Sequence, residues 1–208
     1  MSQSAVTLDQ LRARIAEIEG VRVQIGRSAS GVAALDAVIG GLPKPGLVAL
    51  HGEPGSGRTG LIAAVAAAQT SRGHPVAWID AERQIHPPGL AGAGVDLRYL
   101  LLVRPPAGHE VWAAEQVLRS GRFGVVAISG VGRVGSGGQR WARAVEQGSC
   151  TALVMASGAG RDLPALVRLR VERGAFTVVR DRSGGFGRLG ELPEPRAQAQ
   201  PWQWGGPA

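Results

Sequence analysis

The chain has 208 residues, 44% of them hydrophobic, with 32 glycines, 13 prolines and a formal net charge of +7, a size and balance that predict a single domain around one sizeable core. A lone cysteine, Cys150, excludes an intramolecular disulfide framework and suits a cytoplasmic setting; it reads as a small hydrophobe at a strand entrance. No apolar run approaches the ~20 residues that span a bilayer, and charges throughout residues 1–20 predict no signal peptide and no membrane partner.

Leu8, Leu11, Ile15 and Ile18 recur at helical spacing with charged residues between them, so 7–20 reads as an amphipathic helix opened by Thr7 and stopped by Gly20. It either packs on its own domain or is offered to another subunit. A connecting segment follows, with a short strand at 21–25. Then come helix 32–39, a Gly/Pro turn at 40–46, strand 46–51 and helix 59–71. Strand 75–79 leads to Asp80-Ala81-Glu82. After a proline-broken segment the pattern continues as strand 99–103, helix 109–119, strand 125–128, helix 138–147 and strand 151–156. This βα alternation predicts a mostly parallel sheet flanked by helices. The end of the chain differs: 167–171 and 176–180 read as an antiparallel hairpin, with a further short strand near 185–189. The expected organisation is an N-terminal helix and linker (1–29), an α/β core (30–190) and a disordered Pro/Gln-rich tail (191–208), in which Trp202 and Trp204 are candidate docking anchors.

The chemistry-bearing motif lies between strand 46–51 and helix 59–71. Gly52-Glu53-Pro54-Gly55-Ser56-Gly57-Arg58-Thr59, followed by Gly60, fits the phosphate-loop pattern G-x-x-x-x-G-K-[ST] at every fixed position except the lysine, which is Arg58. Glycines let successive backbone N–H groups face an anion at a helix N-terminus, where the dipole favours negative charge. Arginine is a planar, bulkier fork and no equivalent of lysine. The loop marks descent from a nucleotide binder, not hydrolysis. It would equally close a tight strand-to-helix turn with no phosphate bound. The positive charge is uneven, net +2 over residues 1–104 and +5 over 105–208. Lys44 is the sole lysine, a compositional bias that weakens the charge as a sign of DNA binding.

Residues 30–189 resemble the RecA recombinase family. Ser30-Gly31-x-x-x-Leu35-Asp36 with Gly41-Leu42-Pro43 is similar to its approach to the phosphate loop. Trp78-Ile79-Asp80-Ala81-Glu82 resembles its second-strand motif, with Glu82 on the position of the water-activating glutamate. Gly94-Val95-Asp96 with Leu100-Leu101, and Val167-Arg168-Leu169 with Val178-Val179-Arg180, resemble later segments. The resemblance implies a RecA-like core with an antiparallel C-terminal extension. It also implies what is missing. Ser129 stands where the metal-holding aspartate is expected, Gly89 where an aromatic stacks on adenine, and Ser157-Gly158 where a glutamine senses the γ-phosphate. The two DNA-binding loops are reduced to 132–140 and 158–164, and the recombinase's C-terminal domain has no counterpart. Glu82, the one survivor, can equally serve as an ion-pair partner for Arg58.

Within that superfamily the pattern most resembles the ImuA family, RecA-related accessory proteins of damage-induced translesion synthesis. The resemblance implies a non-catalytic interaction protein with no metal and no required cofactor, ATP being the nucleotide its vestigial loop would suit. Its expected partners are RecA and an ImuB-type polymerase homologue, with weak or no DNA binding. Leu8, Leu11, Ile15 and Ile18 are the expected contacts to RecA or to another copy of this chain. The alternatives are a weak DNA-dependent ATPase and a SulA-like inhibitor of cell division.

Overall fold

A computed structural model describes residues 26–132, 134–156, 163–182 and 187–193. The predicted helix carrying Leu8, Leu11, Ile15 and Ile18, the segment 21–25, Ser157-Gly158 and the tail tryptophans Trp202 and Trp204 lie outside the described residues.

The described chain starts with a small antiparallel ribbon, β1 (Arg27–Ser28) against β2 (Leu42–Pro43), with α1 (Ala33–Ile39) between them. The Ser-Gly…Leu-Asp signature here is a local lock. The Asp36 carboxylate accepts the backbone N–H groups of Ser30 at 2.8 Å and Gly31 at 3.1 Å. Gln69, from the following helix, donates its amide to the carbonyls of Ala29 and Ser30, both at 3.1 Å. These two side chains tie down the backbone of 29–31, of which Ser30 is buried.

The predicted alternation then becomes β3 (Gly46–His51), α2 (Arg58–Thr70), β4 (Val76–Asp80), α3 (Pro87–Gly92), β5 (Leu100–Val103), α4 (Glu110–Arg119), β6 (Val125–Ser129), α5 (Gly137–Gly148) and β7 (Thr151–Met155). A meander of β8 (Val167–Glu172), β9 (Ala175–Asp181) and β10 (Leu189–Glu191) closes the chain. The eight main strands run in the order β10-β9-β8-β3-β7-β6-β4-β5. The pairs from β8 to β5 are parallel and those of β8–β9 and β9–β10 antiparallel, as the sequence predicts. Helix α3 is a difference. Pro87 and Pro88 read as a break, but they occupy the first helical turn, where a missing N–H costs nothing.

Strand residues alternate between two cores. Val48, Leu50, Trp78, Leu169 and Phe176 pack with Leu61, Ile62 and Val65 of α2. Leu47, Ala49, Ile79 and Ile128 pack on the other side with Leu118 of α4 and Trp141 of α5. Each of the buried Val, Leu, Ile and Phe side chains stabilises the fold by roughly 1.5–3 kcal/mol on burial. Glu115 joins α4 to α5, accepting Arg119 at 2.6 Å and facing Arg140 at 3.6 Å. Cys150 is buried in the second core, and burial pushes its thiol up to about 11. It stays protonated near neutral pH and is a poor nucleophile. Among the described residues, no helix is long and apolar enough to cross a membrane.

Candidate functional site

The carboxyl ends of β3, β7, β6 and β4 lie side by side, the edge at which open α/β sheets bind ligands. At this edge β3 hands over to α2 through the loop 52–57. Gly55 (φ 78°) and Gly57 (φ 104°) adopt left-handed conformations that a side chain would strain, and the Ser56 N–H closes a turn on the Glu53 carbonyl at 3.0 Å. Helix α2 begins at Arg58 with no side-chain cap, so its first N–H groups remain available to an anion. Residues Gly52, Glu53, Pro54, Gly55, Ser56, Gly57, Arg58, Thr59 and Gly60 therefore form one continuous loop and helix start.

Three side chains around this loop are turned to protein partners. The Arg58 guanidinium donates to the Ala156 carbonyl, just past β7, at 3.3 Å. No ion pair joins Arg58 to Glu82, so the charge-neutralising contact weighed from sequence does not form. The Thr59 hydroxyl points to the sulfur of Met155 at 3.7 Å. At the end of β6, Ser129 is buried. Its hydroxyl accepts the Trp78 indole N–H at 3.0 Å and donates to the Ile79 carbonyl at 3.2 Å. Both hydrogen-bonding directions of the hydroxyl are thus used inside the sheet.

Asp80 and Glu82, two residues apart, have different fates. Asp80 is 1% exposed, and its carboxylate accepts the N–H groups of Gln84 at 2.9 Å and Ile85 at 3.1 Å and the Arg104 guanidinium at 3.2 Å. Arg104 also donates to the Ile85 carbonyl at 2.6 Å. Asp80 thus fixes the turn that carries Glu82. Glu82 is exposed and lies along Gly130 (φ 73°), where any side chain would collide with the Glu82 backbone and Cβ. Gly89 is exposed in α3, and an added Cβ there would meet only His86, at 3.8 Å, so packing does not dictate a glycine.

The sequence reading missed the far wall of the site. A cavity of about 1090 Å³ opens between the loop and the carboxyl end of β8, lined by Arg168, Arg170 and Arg173 as well as Ser56 and Arg58. The only signal in the sequence is that these arginines fall at or just past the outward positions of β8.

The RecA N-terminal domain family model matches residues 11–139 of this chain. Among curated proteins, Protein RecA of Lactobacillus delbrueckii subsp. bulgaricus is 34% identical over 116 residues, covering 54% of this chain and 35% of the relative. Protein RecA of Brevibacillus brevis is 33% identical over 112 residues, covering 52% and 32% respectively. Protein RecA of Acholeplasma laidlawii is 35% identical over 105 residues, covering 49% and 32%. These matches span about a third of the length of the curated relatives. The matched segment contains the phosphate loop, the Asp80–Glu82 turn and the Ser129 strand, and on that basis the chain belongs to the RecA N-terminal domain family.

Proposed function

We propose that this protein is a non-catalytic RecA-like accessory factor of damage-induced mutagenesis, which binds and modulates RecA and works with an ImuB-type polymerase homologue. The observation that carries the reading is the state of Ser129. Phosphoryl transfer relies almost wholly on positioning and charge stabilisation by a divalent cation, a loop lysine and nearby acids. Ser129 supplies no charge, and both its hydrogen bonds are spent on Trp78 and Ile79. The Thr59 hydroxyl, the other group suited to such a cation, is directed at Met155. This donor set does not fit magnesium, whose octahedral shell needs at least one or two well-placed oxygen anions.

Phosphate release from ATP is expected to stay at background with or without single-stranded DNA. Turnover that vanishes in Glu82→Ala would overturn the reading in favour of a DNA-dependent ATPase.

The proposed contact to RecA uses the amphipathic stripe of Leu8, Leu11, Ile15 and Ile18, because a helix laid in an apolar groove depends on anchors at such spacing. Leu11→Asp with Ile15→Asp is expected to weaken capture of RecA tenfold or more while leaving the circular dichroism of the core unchanged. If the double variant unfolds, the helix belongs to its own core. If it folds and holds RecA as before, the contact lies elsewhere, with Trp202 and Trp204 next to test.

A further inference from the structure

Strand β5 forms one edge of the main sheet, and its sequence is an unbroken apolar run, Leu100-Leu101-Leu102-Val103. Such a run marks a strand covered on both faces. Among the described residues the fold covers only one of them fully. Leu100 and Leu102 pack against the core that holds α2. Leu101 pairs with Ala77 of β4, so it faces the opposite side of the sheet, that of α4 and α5. There α4 lies over β4 and β6, and α5 packs on α4 and reaches β3. Leu101 is left 44% exposed, and Leu97 and Tyr99, which lead into the strand, are 41% and 39% exposed. An aliphatic edge strand open to solvent invites unwanted pairing with other chains, so this face calls for a cover.

The chain carries a segment of the right kind within reach. The described residues begin at Gly26, whose carbonyl accepts the Lys44 N–H at 2.8 Å. The Lys44 ammonium lies 3.8 Å from the position that a Cβ on Gly124 would take, just before β6. Gly26 therefore sits about one lysine side chain from the foot of β6. From β6 the sheet continues to β4 and then β5, two strand spacings or roughly 10 Å away. Six residue steps separate Gly26 from Gly20 and span up to ~20 Å when extended. The predicted helix 7–20 is about 21 Å long, enough to run along β5 and the turn before it. Its stripe of Leu8, Leu11, Ile15 and Ile18 supplies the one apolar face that a third helix beside α4 needs.

We propose that segment 7–20 folds back onto the open face of β5 in its own chain, its apolar stripe covering Tyr99, Leu101 and Val103, so that the contact it offers a partner is held in reserve. Covering β5 and holding a partner use the same four side chains, so the two states exclude each other. A partner that takes the stripe must first lift it, and its apparent affinity is reduced by the fraction of chains in which the stripe is free. This consequence rests on the reading that the stripe holds RecA; the fold-back itself does not.

The test uses the full chain and engineered thiols, because the native Cys150 is buried, with its thiol pushed up to about 11, and does not compete. Leu101→Cys is combined in turn with Leu8→Cys, Leu11→Cys, Ile15→Cys and Ile18→Cys, and each pair is oxidised in dilute solution. At least one pair is expected to close a disulfide within one chain, seen as a faster-running monomer on a non-reducing gel. The same stripe cysteines paired with Leu189→Cys, an exposed position on β10 at the other edge of the sheet, should not close. In a second measurement the Leu101→Cys thiol is labelled with a maleimide. Adding Leu11→Asp and Ile15→Asp should speed its labelling fivefold or more and leave that of Leu189→Cys unchanged. If the aspartate variant does not fold, the disulfide pairs decide alone, since the cysteines are placed at exposed or stripe positions and add no charge. Closure with Leu189→Cys as readily as with Leu101→Cys, no closure with either, or labelling indifferent to the aspartates would overturn the proposal. So would disulfides formed only between two chains, which would assign the face to a second copy. Leu101→Asp should raise capture of RecA threefold or more. Intrachain closure without that rise would refute the RecA reading and leave the fold-back standing, and RecA capture without intrachain closure would do the reverse.

Discussion

Asp80→Ala is expected to lower unfolding stability by about 3 kcal/mol, a drop in melting temperature of roughly 6–12 °C for a chain of this size. The substitution removes the acceptor of three donors at once: the Gln84 and Ile85 N–H groups and the Arg104 Nε–H. Each buried N–H left without a partner costs about 1–3 kcal/mol. Arg104 adds less, because its side chain is 38% exposed and water can solvate it. Asp80→Asn keeps one carbonyl acceptor but brings an NH₂ group against donors, so it should fall between wild type and alanine. Urea unfolding with both variants checks the order. Equal stability of Asp80→Ala and wild type would mean that the turn after β4 is held by something other than this carboxylate.

That result bears on how the Asp-Ala-Glu run is read. From sequence alone, Glu82 is the residue with a chemical role and Asp80 is a neighbour in the motif. The structure makes Asp80 the anchor and leaves Glu82 on the surface. The distinction was not legible because it depends on which strand end closes over which side chain, and that is set by pairing of β4 with β6 and by the approach of Gly130.

The larger architecture was legible for a simple reason. The strands from β3 to β7 are short apolar runs bounded by glycine, proline or polar residues, and most of the crossovers between them carry a helical stripe, so two periods alternate clearly along the chain. The two-residue strands β1 and β2 carry no period at all, and the first turn of α3 hides behind a proline pair. The phosphate loop was legible because its glycines must sit at fixed spacing. The arginine wall was not, since Val167-Arg168-Leu169-Arg170-Val171 is also how any half-buried strand alternates. Only the fold shows that its polar face lines the same cavity as the loop.

Ser129→Asp, which rebuilds the expected metal acid, is expected to destabilise the protein by about 3 kcal/mol or more and to restore no ATP turnover, even combined with Arg58→Lys. The hydroxyl it replaces is 4% exposed and sits between a donor and an acceptor. A carboxylate there could still accept the Trp78 N–H, but it would face the Ile79 carbonyl oxygen with no proton to share, and the effective penalty for burying an ion is several kcal/mol. Ser129→Ala should cost less, about 1–2 kcal/mol, because it removes the partner of one indole N–H without adding a charge. Ser129→Thr should cost least, since it retains the hydroxyl. The expected order of loss is therefore Asp, then Ala, then Thr, read from urea midpoints with phosphate release measured on each folded variant. This order separates two histories of the site. If Ser129 were merely a position where an acid had been lost, restoring aspartate would be tolerated and magnesium would stabilise the variant. If the β6 end has been repacked around the Trp78–Ser129 hydrogen bond, aspartate must be the worst of the three. A Ser129→Asp protein that is as stable as wild type and gains magnesium-dependent ATP hydrolysis would show that the catalytic edge is intact and lacks only its charge.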